Sequence, residues 1–122
     1  MQRSLQAVGG PKWTPDELAW AQSIQKTLPT QRQLESASAV PASFLRGDGG
    51  GSTDVSDISW VSPTVGLGTA SWVPGTPAHS WQAVAASGMS IGAKGGVVAA
   101  KTMALTAAEL FRSPETLAQA KA

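Results

Sequence analysis

The stretch IGAKGGVVAAKTMALTAAELF, residues 91–111, decides the fold because it is a long helical pattern with a continuous apolar stripe. The stripe follows the three- and four-residue spacing of one helix face. Its members are Ala99, Ala100, Met103, Ala104, Ala107, Leu110 and Phe111. Since most of them are alanines, we expect this helix to pack tightly against a neighbour. Gly92, Gly95 and Gly96 each weaken its first turns by about 1 kcal/mol relative to alanine, so we interpret them as positions of close approach.

Shorter helices are predicted on both sides of this stretch. The clearest covers residues 14–28, where Thr14 is the N-cap, Pro15 occupies the first turn and Glu17 completes a capping box. Pro29 ends that helix. The same capping and proline signals predict a helical turn before Gly9 and helices over 52–60, 79–87 and 114–121.

One stretch reads as a strand and one as a loop. Residues 64–73, TVGLGTASWV, have the β-branched and small residues of a strand that another surface approaches closely. Residues 30–51 are polar and glycine-rich, which predicts a flexible loop. We therefore expect an α/β fold with few strands and several helices, in which residues 1–122 are a segment of one domain.

Composition excludes several classes of function. The net charge of +1 provides no basic surface for nucleic acid or a membrane. No apolar run reaches the ~18 residues of a membrane span, and the first residues do not read as a signal peptide. The absence of cysteine excludes a disulfide framework and a Cys-based zinc site, and we expect a cytoplasmic protein. With two Phe and no Tyr, the chain is a poor candidate for an independent, well-buried globule.

The candidate functional residues lie between Gly49 and Trp81. This stretch contains the single histidine, His79, and the carboxylates Asp54 and Asp57. It also contains three tryptophans that would form an apolar wall, namely Trp60, Trp72 and Trp81. An imidazole after the turn 74–77 can bind a metal or polarise a carbonyl, although a lone histidine is more often a structural or surface residue. Two aspartates three residues apart can ligate a metal, or they can be a helix cap and a solvated partner of the helix dipole.

Two motifs match known sites only in part. Residues 88–92 fit the G-x-S-x-G nucleophile elbow, but that elbow follows a strand, whereas residues 81–87 read as a helix. We therefore interpret Ser90 as a helix N-cap. The glycine-rich run 47–53 lacks the lysine of a phosphate-binding loop.

Three ordered segments carry a resemblance to a known family. They are GSTDVSDISWVSPTV from Gly51, GTPAHSWQAVA from Gly75, and SIGAKGGVVAAKTMALTA from Ser90. Together they resemble the C-terminal part of the aminobenzoyl-glutamate utilization proteins, which belong to the co-catalytic metal amidohydrolases together with aminoacylases and carboxypeptidase G. The resemblance covers nearly all of this chain and about the last quarter of a typical family member.

The resemblance implies an α/β catalytic domain in which two divalent ions, zinc or manganese, and a glutamate base hydrolyse an amide. It assigns His79 as a ligand of one metal. It places Ser52 and Asp54 in a loop that lines the site, on the substrate side or behind the metal ligands. The other ligands and the catalytic base have no counterpart in this chain, so no catalytic residue is assigned. Family members are dimers or hetero-oligomers.

The sequence therefore predicts a fragment of a metal-dependent amidohydrolase that acts on a small-molecule amide of the p-aminobenzoyl-glutamate type and is inactive alone. One alternative is a non-catalytic or complementing subunit that docks on a partner supplying the remaining metal ligands. Another is a small structural module without a site.

Overall fold

The computed structural model describes residues 1–43 and 53–121. Every regular element in these two ranges is helical. The elements are α1 (Gln2–Val8), α2 (Pro15–Gln25), a 3-10 helix (Leu34–Ala37), α3 (Val55–Ser59), α4 (Trp81–Ser87), α5 (Ser90–Arg112) and α6 (Pro114–Lys121).

The prediction of an α/β fold is wrong for the described residues, which contain no strand. Residues 64–73, predicted as a strand, have no regular secondary structure. A strand needs a neighbour to accept and donate its backbone hydrogen bonds, and none pairs with this stretch in the described ranges. It packs on α5 instead, where the Thr69 hydroxyl donates to the Gly95 carbonyl oxygen at 3.0 Å.

Helix α5 is the central element, because α1, α4 and α6 all pack against it. Its buried residues are Ile91, Gly95, Val98 and Thr102. A Cβ on Gly95 would lie 2.5 Å from the Ala70 carbonyl oxygen, and one on Gly92 would lie 2.7 Å from that of Ala86. The predicted close approaches at Gly92 and Gly95 are therefore confirmed. At Gly96 the prediction is wrong, because no atom lies within 4 Å of such a Cβ.

The apolar core is small. It consists of Ala21, Ile24, Leu28, Leu34, Val73 and Ile91, with Trp13 and Trp20 packed against it. The residues 30–51, predicted as a flexible loop, contribute Leu34 through the 3-10 helix, while residues 44–52 lie outside the described ranges. Large apolar side chains remain exposed elsewhere, including Trp60, Val84 and Phe111. Burial of apolar surface is the main stabilising term in folding, so this core is a modest source of stability.

In the described part of the chain, no single helix is both long and apolar enough to cross a membrane. Helices α4 and α5 reach the length and apolar composition of a membrane span only when they are counted as one segment. The chain bends by 68° at the junction between them.

Candidate functional site

His79 lies between a tight turn and α4. The predicted turn at Pro74–Pro77 is confirmed by a hydrogen bond of 3.0 Å from the Thr76 amide to the Val73 carbonyl oxygen. Gly75 has φ +95°, and a Cβ there would collide with the Thr30 carbonyl oxygen. Only glycine satisfies both conditions without strain, so the turn has a fixed course.

The helix that follows begins two residues later than predicted. Ser80 is the N-cap of α4, since its hydroxyl accepts a hydrogen bond from the Ala83 amide at 3.2 Å. The same hydroxyl donates to the Pro77 carbonyl oxygen at 2.7 Å. His79 is thus held between two anchored residues, Pro77 and Ser80, and its side chain is exposed.

The backbone of His79 is strained. Its φ of +57° makes it the one non-glycine residue with positive φ in the described ranges. Such conformations cost on the order of 1–3 kcal/mol and persist where the surrounding structure holds them in place. The Pro77–Ser80 hydrogen bond and the cap of α4 supply that constraint. A strained, exposed imidazole on an anchored turn is the strongest functional signal between Gly49 and Trp81.

The carboxylates of that stretch do not join His79 in a metal site. Asp54 precedes α3 without making a side-chain capping bond, and α3 has no buried residue. Asp57 is exposed on the same short helix. Ser52, predicted beside the substrate, lies outside the described residues. Among residues 1–43 and 53–121, no three or more His, Asp or Glu side chains are grouped as they would be around a metal, so these residues do not fit a metal ion by themselves.

The predicted apolar wall of tryptophans is wrong. Trp60 is 87% exposed, Trp81 is 60% exposed and Trp72 is 36% exposed. Smaller residues from the same segments, Val73 and Ala83, occupy the interior instead. The Trp72 indole nitrogen donates to the Ser87 hydroxyl at 2.9 Å, which places that ring on the surface, where its polar edge keeps a partner.

A cleft of about 500 Å³ adjoins the turn. Its walls are residues 69–76 together with Ser36 and Ala37 of the 3-10 helix. The Thr76 hydroxyl, which belongs to this wall, is buried and has no hydrogen-bond partner. A buried hydroxyl without a partner is uncommon, so Thr76 is the unusual residue of this wall.

Sequence reasoning missed a buried polar cluster between α2 and α5. Glu17 is 8% exposed. Its carboxylate accepts hydrogen bonds from the Lys94 ammonium and the Ser90 hydroxyl, each at 2.6 Å. The Thr14 amide donates to it at 2.6 Å and completes the predicted capping box, which is confirmed. The sequence offered one signal of this cluster, which is that Ser90 and Lys94 lie one helical turn apart and therefore share a face of α5. It gave no sign that Glu17 joins them, because Glu17 lies more than seventy residues away along the chain.

This cluster suits a structural role better than a catalytic one. The hydrogen bonds from Lys94, Ser90 and the Thr14 amide lower the pKa of Glu17 to about 2. A carboxylate of that pKa is a weak base at neutral pH, so it does not activate the Ser90 hydroxyl. The predicted N-cap role of Ser90 is also wrong, because Met89 occupies the cap position and Ser90 begins α5. No strand precedes Ser90 in the described chain, as a nucleophile elbow requires.

The comparisons with known proteins confirm the resemblance found in the sequence. The chain is 33% identical, over 138 aligned positions, to a subunit of p-aminobenzoyl-glutamate hydrolase from Escherichia coli strain K12. The alignment covers 91% of this chain and 28% of that protein. The chain therefore spans a little over a quarter of the length of this relative. No family model and no solved structure matches the chain.

Proposed function

We propose that this chain forms part of a metal-dependent amidohydrolase that cleaves an aryl- or acyl-amino-acid amide bond, with p-aminobenzoyl-glutamate as the leading substrate. The observation that carries the proposal is the 33% identity to a p-aminobenzoyl-glutamate hydrolase subunit over 91% of the chain. Because the similarity extends over nearly the whole chain, it does not depend on a single short motif.

In this proposal His79 donates one ligand to a divalent metal site. A neutral imidazole is a common ligand of divalent transition metals, zinc among them. Two such ions, when bound, would polarise the amide carbonyl and supply the attacking water. The exposure of His79 and its anchored backbone support this role. Since the described residues do not group a metal site, the remaining ligands come from elsewhere in the assembled enzyme, and the chain alone is inactive.

Asp54 and Ser52 would lie towards the substrate. Asp54 supports this role by being an exposed carboxylate that forms no capping bond at the start of α3. The cleft bounded by residues 69–76 is the described cavity nearest in sequence to His79. We propose that this cleft receives the polar part of the substrate.

A second candidate is a complementing subunit without activity of its own. The observation that favours it is that the E. coli relative is itself named as one subunit of a hydrolase, and that this chain covers 28% of it. In that case a partner supplies the other metal ligands, and His79 completes the set.

The test uses a chimera in which this chain replaces the aligned part of the E. coli protein within the assembled hydrolase. We expect the chimera to release p-aminobenzoate from p-aminobenzoyl-glutamate in the presence of Mn²⁺ or Zn²⁺. The His79→Ala variant should lose at least tenfold in kcat/KM and part of its bound metal, measured by elemental analysis. The matched control is Asp57→Ala, which changes another exposed residue outside the proposed ligand set.

Equal activity and equal metal content in the His79→Ala and control chimeras would contradict the role of His79. Hydrolysis by the isolated 122-residue chain would contradict its proposed inactivity. An inactive chimera that folds and assembles would overturn the substrate assignment.

A further inference from the structure

The turn that carries His79 is fixed at both ends to one short segment that follows α2. Before the turn, the backbone of Gly75 lies so close to the Thr30 carbonyl oxygen that no Cβ fits between them. After the turn, the side-chain amide of Gln82, a buried residue of α4, donates to the Thr27 carbonyl oxygen at 3.3 Å and to the Thr27 hydroxyl at 3.2 Å. The residues between these two anchors therefore span a fixed distance.

One hydroxyl group closes this turn. Residues 78 and 79 form the turn itself. In an ordinary β-turn, the amide of the fourth residue donates to the carbonyl oxygen of the first. No backbone hydrogen bond joins Pro77 and Ser80 in the described ranges, and the Ser80 hydroxyl donates to the Pro77 carbonyl oxygen at 2.7 Å in its place. The closing bond of the turn thus depends on the side chain of residue 80.

This closing bond acts on the backbone of His79. The histidine is the third residue of the turn and has φ +57°, a conformation that glycine or asparagine usually supplies at such a position. The ordinary φ of a helical or turn residue is about −60°. Because φ is a rotation about the N–Cα bond, a return to that value would swing the His79 Cβ by about 120° relative to the preceding peptide. The exposed imidazole would then point in another direction.

We propose that Ser80 is the positioning residue of His79, and that the hydrogen bond from its hydroxyl to Pro77, rather than its role as helix cap, fixes the direction of the imidazole. The hold on the backbone is argued from the two hydrogen bonds of Ser80. Its consequence for amide hydrolysis rests on the proposed function, in which His79 belongs to the reaction site.

The competing role for Ser80 is that of a helix cap alone, and two substitutions separate the two roles. Aspartate is as good an N-cap as serine, but its ionised side chain only accepts hydrogen bonds. Threonine both accepts and donates. Its branched side chain also suits the extended backbone of this position, where φ is −119° and ψ is 158°. Ser80→Asp therefore keeps the cap and removes the bond to Pro77, whereas Ser80→Thr keeps both.

The first experiment measures the backbone of residue 79 by NMR in the full 122-residue chain. A strong nuclear Overhauser effect between its amide hydrogen and its own Hα marks a positive φ. We expect this signal to be strong in the wild type and in Ser80→Thr. In Ser80→Asp it should be weak, while circular dichroism shows unchanged helix content.

The matched control is Ser113→Asp. The Ser113 hydroxyl accepts a hydrogen bond from the Thr116 amide at 3.2 Å at the start of α6, and no non-glycine residue of positive φ lies beside it. This variant makes the same chemical change at another helix start. It should leave the signal of residue 79 unchanged.

The second experiment places the same variants in the chimeric hydrolase. We expect Ser80→Asp to lower kcat/KM about fivefold, which is the change that one exposed hydrogen bond can supply. Ser80→Thr should retain most of the wild-type value, and Ser113→Asp should retain all of it.

Three results would overturn the proposal. One is an equally strong signal of residue 79 in Ser80→Asp and the wild type. Another is full activity of the Ser80→Asp chimera although this signal has weakened. The last is a loss of activity in Ser80→Thr as large as that in Ser80→Asp. An inactive wild-type chimera would instead count against amide hydrolysis, and the NMR signal would still decide whether Ser80 holds His79.

Discussion

The inner and outer faces of α5 are built from similar residues but have different environments. Most residues of both faces are small or β-branched. The inner face consists of Ile91, Gly95, Val98 and Thr102, and the outer face consists of Ala93, Val97, Ala100, Ala104, Ala107 and Phe111. The inner face is buried by the rest of the chain, with Ile91 1% exposed and Thr102 fully buried. The outer face lies open, with Phe111 90% exposed. The difference teaches that an apolar stripe on a helix does not by itself show which face the rest of the chain buries.

The largest expected effect compares one large side chain from each face. Ile91→Ala should lower the free energy of unfolding by about 2–4 kcal/mol, because it removes buried methyl groups and leaves a cavity. Phe111→Ala should change it by no more than about 0.5 kcal/mol, since the ring is almost fully exposed. Urea unfolding followed by circular dichroism measures both. Equal losses would show that the outer face is packed in solution.

A neighbouring pair of glycines provides a matched comparison of the same two faces. Gly95→Ala should cost about 1–3 kcal/mol, because its Cβ would meet the Ala70 carbonyl oxygen at 2.5 Å. Gly96→Ala should instead stabilise the helix by up to about 1 kcal/mol, since that Cβ meets no atom within 4 Å. Thermal unfolding of the two variants reports the difference. A stabilising Gly95→Ala would contradict the packing of residues 69–71 on α5.

The polar cluster that joins α2 to α5 should make stability depend on acid. The pKa of Glu17 is lowered from 4.5 to about 2 in the folded chain, chiefly by Lys94 and then by Ser90. A lowered carboxyl pKa contributes stability that is fully present above pH 4.5 and is lost as the pH falls through about 2. We expect Glu17→Gln to be less stable at neutral pH and to lose this part of the acid dependence, as measured by urea titrations between pH 2 and 7. Glu115→Gln, on exposed α6, is the matched control for the loss of one carboxylate outside the cluster.

The smallest expected effect concerns a residue that packs on neither face. His79→Gly should raise the free energy of unfolding by about 1 kcal/mol, because glycine adopts φ near +57° without strain. His79→Ala keeps the strain and serves as the control, with no gain expected. If both variants raised the free energy of unfolding, the destabilisation would come from the imidazole side chain rather than from the backbone conformation of residue 79.

The helices were predictable because their signals are local. Thr14 and Glu17 form a capping box with each other, and Pro114 starts α6 by its own geometry. The predicted stop at Pro29 is wrong, because α2 already ends at Gln25. Each of the six predicted helices is present, with most ends displaced by one to three residues. The 3-10 helix at Leu34 was missed because short helices carry little periodic signal.

The absence of a strand at residues 64–73 in the described chain was not predictable in the same way, because strand pairing is a property of two segments. The residue types of that stretch favour a strand, but the described chain places it against Gly95 of α5 rather than beside another strand. The buried cluster shows the same limit, since Glu17 and Lys94 meet only through packing of α2 on α5.

By itself, the sequence determined the helices, the turn before His79 and the resemblance to an amidohydrolase, because each depends on residues close together in the chain or on the order of its motifs. Tertiary structure decided which face of α5 is buried, how Glu17 is held and that His79 is exposed without a metal-binding group among the described residues. The physical reason is that burial and ion pairing are set by distances in space, whereas caps and turns are set by distances along the chain.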